Sequence, residues 1–157
     1  MTAQLVLFAC THNAGRSQIA NAFFNQLADP AIARSIAAGL DPLDRIHDEV
    51  IEVMREVGID LADVSPIALT GRMITDLDFL VTLGCPERCP TIPVSRRQDW
   101  PLRDPHGLAV NEVREIRDEI RGLVTELIRD KGWGRPSADS LRPSGPRPVS
   151  PSIGDEP

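Results

Sequence analysis

The sequence is poor in the residues that build disulfide frameworks, membrane spans and nucleic-acid-binding surfaces. It has three cysteines and no tyrosine, and only 4% of its residues are aromatic. Lysine and arginine number 17 against 23 acidic residues, and the net charge of −6 argues against a nucleic-acid partner. No apolar run approaches the length of a transmembrane helix, and the first run follows no basic leader, so we expect neither a membrane segment nor a signal peptide. Three thiols without an export signal predict a cytoplasmic protein.

Composition divides the chain into a folded part and a tail. Its 157 residues are enough for one domain with a proper core. After Gly132-Trp133-Gly134, proline and serine replace most large apolar residues. Such a segment cannot bury enough apolar surface to offset the entropy lost on ordering it. We therefore predict one domain over residues 1–134 and a Pro/Ser-rich disordered tail over residues 135–157.

Short apolar runs alternate with segments of helical periodicity. Ile19, Phe23 and Leu27, for example, fall four residues apart and give the first predicted helix a buried face. This alternation predicts an α/β protein, with three αβα layers around a four-stranded parallel sheet. The predicted strands are Gln4–Ala9, Ile32–Ala38, Asp78–Leu83 and Ile92–Ser95, and the predicted helices are Arg16–Leu27, Asp48–Val57, Pro66–Ile74 and Asn111–Asp130.

The first predicted strand leads directly into a loop suited to an oxyanion. Cys10 stands at the tip of the strand, and five loop residues separate it from Arg16 at the start of a helix. Loop N–H groups and the positive end of the helix converge there, and Arg16 adds a planar set of donors. The same field stabilises a thiolate at Cys10, so nucleophile and anion site coincide. The predicted oxyanion-binding residues are Thr11, His12, Asn13, Ala14, Gly15 and Arg16.

Single residues of this loop allow more than one interpretation. Ala14 and Gly15 let the backbone approach a ligand closely, and Asn13 tolerates positive φ better than most residues. A lone cysteine such as Cys10 is often a small apolar filler, but the strand, the small-residue loop and the helix together favour a catalytic thiol. His12 is either a catalytic base or, as we expect, a solvated loop residue.

Three separated motifs carry a resemblance to a known family. Residues Cys10–Ser17 resemble the anion loop of low-molecular-weight tyrosine phosphatases and of the arsenate reductases that share their fold. Asp104-Pro105 resembles the Asp-Pro motif of that family, and Cys85 and Cys89 resemble the two further cysteines of the reductase branch. The resemblance extends over about Gln4–Gly132. It implies the low-molecular-weight tyrosine phosphatase fold.

The resemblance also implies roles in arsenate reduction. Cys10 would attack arsenic while Arg16 and the loop amides hold the oxygens of the anion, for which phosphate and sulfate would compete. Asp104 would protonate the leaving hydroxide, a role that requires a protonated carboxyl. Ser17 would donate a hydrogen bond to the Cys10 sulfur and keep it as thiolate.

Two cysteines distinguish reduction from hydrolysis. Reducing arsenate to arsenite takes two electrons, so a second thiol must complete a disulfide, whereas a phosphatase needs only water. The resemblance implies that Cys85 attacks Cys10, that Cys89 then attacks Cys85, and that thioredoxin reduces the Cys85–Cys89 disulfide. No bound cofactor is implied, and we expect a monomer.

Other interpretations stay open. A phosphatase of this fold would leave Cys85 and Cys89 without a chemical role, and a low-molecular-weight thiol could replace Cys85 in attacking the arsenic adduct. An oxyanion sensor would not need Asp104, and a zinc site would need more ligands than two cysteines. Asn21 stands where some reductases carry an acidic ligand for a monovalent cation, so we predict no metal.

Overall fold

The computed structural model describes residues 3–84, Pro93 and residues 96–135. In these residues strands and helices alternate, except that two helices lie between β2 and β3 and that β4 is the next described element after β3. The strands are β1 (Gln4–Cys10), β2 (Ala33–Gly39), β3 (Phe79–Leu83) and β4 (Arg97–Trp100), and the helices are α1 (Arg16–Leu27), α2 (Asp48–Arg55), α3 (Gly71–Asp76) and α4 (Val110–Lys131). None of these helices is both long and apolar enough to cross a membrane.

The four strands form one parallel sheet in the order β2-β1-β3-β4. The chain proceeds outward from β1 to β2 on one side and continues with β3 on the other side. The strand order therefore reverses at β1, and open α/β sheets bind ligands at the carboxyl ends of strands at such a point. Cys10 is the last residue of β1 and pairs in register with Gly39.

The two faces of the sheet bury different amounts of apolar surface. Val6, Phe8 and Cys10 belong to a large core that includes buried residues of α1, α2 and α4. Leu7 and Ala9 belong to a smaller core, against which Met73 and Ile74 of α3 pack. Burial on both faces explains why β1 is a continuous apolar run rather than an alternating one.

The scarce aromatic residues strengthen the larger core. The Phe8 ring lies 5.6 Å from Phe24 and 5.9 Å from Trp100, measured between centroids. Trp133 lies 5.9 Å from Phe24 and 6.1 Å from Phe79. The Phe8–Trp100 pair is tilted and the other three are edge-to-face. Edge-to-face pairs add about 0.5–1.5 kcal/mol each beyond the area that they bury. Trp133 follows α4, whose end is marked by Gly132 with φ of 72°.

The predicted parallel sheet and the predicted bounds of α1 are confirmed. The prediction of a helix from Pro66 is wrong, because α3 begins at Gly71 after Thr70, whose hydroxyl accepts a hydrogen bond from Met73 N–H. The residues before Thr70 instead pair with the last residue of β2, since the Gly39 N–H donates to the Ile67 carbonyl at 2.9 Å and the Leu69 N–H donates to the Gly39 carbonyl at 2.8 Å.

The predicted position of the fourth strand is also wrong. Of Ile92–Ser95 the structure describes Pro93 alone, which lies outside any strand, and β4 begins at Arg97. The apolar residues before it suggested the earlier position, whereas β4 is an edge strand with polar side chains at its first three residues. Smaller differences affect the ends of other elements, such as α2, which ends at Arg55 before Gly58 adopts φ of 83°. The predicted tail starts at Arg135, and residues 136–157 lie outside the described part of the chain.

Candidate active site

The loop between β1 and α1 points its carbonyl oxygens away from its centre. We call residues 10–16 the anion loop. Every peptide bond in the described residues is trans, so a carbonyl and the following N–H point in opposite directions. Outward carbonyls therefore turn the N–H groups of the next residues inward. The carbonyls of Cys10, Thr11, His12 and Ala14 accept hydrogen bonds from the N–H groups of Leu40, Asp41, Leu43 and His47, at 3.2, 2.7, 3.1 and 3.1 Å respectively.

One inward N–H group shows that the backbone donors of the loop point towards the Cys10 sulfur. The Asn13 N–H donates to Cys10 Sγ at 3.3 Å, while the preceding His12 carbonyl is bonded outward. Cys10 is a free cysteine and is 2% exposed. The cysteine sulfur thus lies beside the inner face of the loop, where backbone donors favour a thiolate and a bound oxyanion alike.

A chain of side-chain hydrogen bonds orients the hydroxyl next to that sulfur. Asn13 adopts φ of 52°, and its Oδ1 accepts hydrogen bonds from Gln18 Nε2 and from Ile67 N–H, both at 2.9 Å. Its Nδ2 therefore faces Ser17 Oγ and donates to it at 2.6 Å. Cys10 Sγ lies 2.9 Å from Ser17 Oγ, and a Cys10 thiolate, which has no proton to give, would accept the Ser17 proton. Ser17 is thus placed to stabilise a Cys10 thiolate.

Arg16 connects the anion loop to a second segment. Its side chain is buried, and Nη1 donates to the Leu102 carbonyl at 3.0 Å. Nη2 lies 3.9 Å from Asp104 Oδ2, which is an ion pair rather than a hydrogen bond. Gly84, at the end of β3 with φ of 85°, leaves room for the guanidinium, because a Cβ there would overlap Nη1.

The second segment carries the predicted acid. We call residues 102–107 the acid loop. Pro105 is buried against Gly15, where a Cβ would lie only 2.6 Å from Pro105 Cγ. Asp104 Oδ1 accepts a hydrogen bond from His106 N–H at 2.9 Å, and the Asp104 side chain is 44% exposed. Cys10, Arg16, Ser17 and Asp104 are therefore brought together, and the acid sits at the solvent side of the group.

The remaining predicted site residues are not all described. Cys85 and Cys89 lie outside the described residues. Asn21 Oδ1 accepts hydrogen bonds from Ser35 Oγ at 2.6 Å and from Asn25 Nδ2 at 3.3 Å. Within residues 3–84, Pro93 and 96–135, no cluster of three or more His, Cys, Asp or Glu side chains is arranged to hold a metal ion.

The sequence did not identify several residues that hold the anion loop in place. Gln18 and Ile67 fix the Asn13 amide, and Gly39 makes room for the loop, since a Cβ there would lie 2.8 Å from the Thr11 carbonyl oxygen. The one local signal was Gln18, a polar residue on the first turn of a helix with a buried face. The partners at positions 39 and 67 are distant in the chain, and only the β2 edge brings them to the loop.

Fold and site together define the class of the protein. Residues 5–132 match the model of the low molecular weight phosphotyrosine protein phosphatase family, and the chain belongs to that family. Its relatives within the family carry a more particular name. An arsenate reductase of Staphylococcus aureus is 33% identical over 77% of this chain and 93% of its own length. The glutaredoxin arsenate reductase of Synechocystis is 32% identical over 78% of this chain and 95% of its own.

The chain is also similar to a solved structure, that of the thioredoxin-dependent arsenate reductase of Corynebacterium glutamicum. It is 37% identical, with a TM-score of 0.69 over 82% of this chain. The present chain spans 61% of the Corynebacterium chain. The backbone fold therefore agrees with the family assignment that the sequence gives.

Proposed function

We propose that this protein reduces arsenate to arsenite, with Cys10 as nucleophile and with Cys85 and Cys89 as a disulfide relay reset by thioredoxin. The observation that supports it most is the Ser17 hydroxyl, which lies 2.9 Å from Cys10 Sγ and accepts a hydrogen bond from the Asn13 amide. A thiol that served only as core filler would not need this oriented donor. The names of the relatives and the two further cysteines of the sequence favour arsenate over phosphate esters.

In the first step the Cys10 thiolate attacks arsenic. Arsenate is bound by the inward N–H groups of the anion loop and by the Arg16 guanidinium, both of which are matched to a tetrahedral oxyanion. An S–As bond forms and an As–O bond breaks. Asp104 gives its proton to the departing hydroxide, which leaves as water. Asp104 lies 3.9 Å from Arg16, so the proton donor and the anion-binding cation act at one place.

In the second step arsenic is reduced. The Cys85 thiolate attacks Cys10 sulfur and forms a Cys10–Cys85 disulfide. The electron pair of the S–As bond stays with arsenic, which leaves as arsenite, so two thiols supply the two electrons. Cys89 then attacks Cys85, which restores the Cys10 thiolate and leaves a Cys85–Cys89 disulfide. An external dithiol reduces that disulfide by the same exchange chemistry.

The proposal leaves two alternatives for the external reductant. The name of the Corynebacterium relative favours thioredoxin, whereas the name of the Synechocystis relative favours a glutaredoxin system. Either route requires a reducing compartment, because the thiols must be regenerated after each turnover. The predicted cytoplasmic location is consistent with this requirement.

Single-turnover chemistry with cysteine variants tests the relay. Parent enzyme, Cys85→Ser and Cys89→Ser are each mixed with arsenate, and arsenite and disulfides are measured by mass spectrometry. Cys89→Ser should release about one arsenite per enzyme and stop as the Cys10–Cys85 disulfide, because two thiols suffice for one reduction. Cys85→Ser should stop at the arsenic adduct. Multiple turnovers of Cys89→Ser with thioredoxin alone would refute the relay.

Two further outcomes identify the alternatives. Full activity of Cys85→Ser with glutathione and glutaredoxin would show that a small thiol attacks the adduct. Rapid hydrolysis of an aryl phosphate without any arsenite formation would show a phosphatase, for which the anion loop and Asp104 suffice.

A further inference from the structure

Two of the three histidines in the chain meet between the anion loop and the acid loop. The centroids of the His47 and His106 rings are 4.8 Å apart, with 40° between the ring planes. His47 is half-buried, and His106 is exposed. The proposed chemistry uses neither ring, so their contact calls for another explanation.

Each histidine is hydrogen-bonded through its backbone to one side of the site. The His47 N–H donates to the Ala14 carbonyl of the anion loop at 3.1 Å. The His106 N–H donates to Asp104 Oδ1 at 2.9 Å. The ring contact therefore connects the backbone of the anion loop to the carboxyl group of the acid through two hydrogen bonds.

Few other contacts within the described residues hold the acid in place. The Asp104 side chain is 44% exposed, and its distance of 3.9 Å from Arg16 Nη2 is too long for a hydrogen bond. Pro105 and the Leu102 carbonyl anchor the acid loop at its backbone, against Gly15 and Arg16 respectively. Within the described part of the chain, the direction of the Asp104 carboxyl depends on the hydrogen bond from the His106 N–H.

We propose that His47 and His106 are positioning residues, whose neutral rings hold Asp104 over the anion loop and whose protonation separates the two loops. Two imidazolium rings at this distance repel each other, and the repulsion acts directly on the hydrogen-bonded carboxyl. The proposal rests on the proposed function, because the position of a general acid matters only where that acid is used.

The charged and titratable groups around His47 lie on the acid loop, the anion loop, α2 and the residues just before α2. Burial lowers the pKa of His47, and His106 on the acid loop and His12 on the anion loop act in the same direction. Asp104 on the acid loop and Glu49 in the first turn of α2 act in the opposite direction, without reversing the net lowering. Asp44, Arg45 and Asp48 line the cavity beside both rings, and Arg45 is paired with Asp48 at 2.5 Å. The neutral form of His47 is thus favoured, and charge enters the pair as the pH falls.

This device has a recognisable pH signature. A general acid alone transfers protons more readily as the pH falls, because a larger fraction of it is protonated. Separation of the His47–His106 contact opposes that trend, so the rate of the first step should decline again on the acid side. Protonation changes elsewhere in the enzyme and in the substrate affect the parent and a His106 variant equally. The ratio of the two rates isolates the histidine pair.

Two substitutions of His106 separate ring contact from charge. His106→Ala removes the contact and should lower kcat about 10- to 100-fold, the scale of a small misplacement of a catalytic group, while the Kd for inorganic phosphate stays unchanged. His106→Phe keeps a ring that cannot be charged, so it should restore most of kcat and abolish the acid-side decline. Equal losses in both variants would overturn the proposal.

A double-mutant cycle ties the effect to Asp104. In an Asp104→Asn background, His106→Ala should cause no further loss, because no acid remains to be positioned. A loss as large as in the parent background would show a general structural role and would contradict the proposal.

An NMR titration tests the contact without turnover. The chemical shift of the Asp104 carboxyl carbon should change together with the protonation of His47, and this coupled change should vanish in His106→Phe but persist in His12→Ala. Its absence from the parent would overturn the proposal whatever the activity. Its presence in a protein that forms no arsenite would show that the proposed function had failed, not the histidine contact.

Discussion

The anion loop and the acid loop face each other across one site, but they are held by different means. In the anion loop, four carbonyls are hydrogen-bonded to residues 40–47, and the Asn13 side chain is bonded on both its oxygen and its nitrogen. The acid loop is attached by the Leu102 carbonyl, by Pro105 and by His106, and its Asp104 carboxyl is half-exposed.

This difference matches the demands of the two chemical tasks. An oxyanion site stabilises charge only if its donors are fixed before the charge develops. Several hydrogen bonds to the loop are needed to fix them. A proton donor must reach a leaving group at the solvent side and must be re-protonated after each cycle, which favours exposure. Substitutions that distort the backbone of the anion loop should therefore impair binding and folding, whereas those that disturb the acid loop should impair the rate alone.

The largest effect should come from the anion loop itself. Cys10→Ser should form no arsenite at all, because a serine hydroxyl at this position is not appreciably ionised and cannot supply the first bond. The protein should still fold and bind inorganic phosphate. Arsenite is measured in a single turnover and phosphate binding by calorimetry, and detectable arsenite from this variant would disprove the role of Cys10.

The acid loop should give the next largest effect. Asp104→Asn keeps the size of the side chain but removes the transferable proton, so the first step should slow by about 100- to 10,000-fold. Phosphate affinity should change little, because Asp104 is not among the N–H donors of the anion loop. A variant that turned over at the parent rate would show that another group is the acid.

One substitution placed at two glycines compares the loops directly. A Cβ at Gly39 would lie 2.9 Å from the Asn13 nitrogen, so Gly39→Ala should distort the anion loop and weaken phosphate binding about tenfold or more. A Cβ at Gly15 would instead displace Pro105, so Gly15→Ala should lower kcat more than phosphate affinity.

Gly122→Ala is the matched control for both, because a Cβ there meets nothing within 4 Å and lies on the surface of α4. Calorimetry with inorganic phosphate and single-turnover rates are measured on all three variants. Identical profiles for Gly39→Ala and Gly15→Ala would remove the distinction between the two loops.

The smallest effect lies outside both loops, between α2 and α4. Glu56 accepts hydrogen bonds from Arg114 and Arg117, which hold the pKa of Glu56 at about 2, below its ordinary 4.5. A lowered pKa in the folded state contributes stability that is present above pH 4.5 and is lost as the pH falls towards 2.

Glu56→Gln should therefore lower the denaturation midpoint modestly near neutral pH, and its difference from the parent should disappear in acid. Glu119→Gln, on the exposed face of α4, is the control and should leave the midpoint near the parent value at each pH. A difference between Glu56→Gln and the parent that stayed constant with pH would contradict the assignment.

Local patterns were sufficient for much of this structure. The apolar run of β1 and the spacing of Ile19 and Phe23 predict the first strand and helix, because burial on one or two faces imposes a period. Cys10, Arg16 and Ser17 could be placed at one site because a single turn between β1 and α1 connects them. Asp104 was proposed from a motif, and its position beside Arg16 depended on how the chain returns to the sheet.

The sequence by itself determined the parallel α/β order, the loop that holds Cys10 and Arg16, and the choice of candidate nucleophile and candidate acid. These features depend on neighbours within a few residues or on long periodic segments. Only the tertiary structure decided that β4 begins at Arg97, that Ile67 and Gly39 complete the anion loop, and that His47 meets His106. Such contacts join residues that are distant in the chain, and their geometry is set by the packing of the whole sheet rather than by any local propensity.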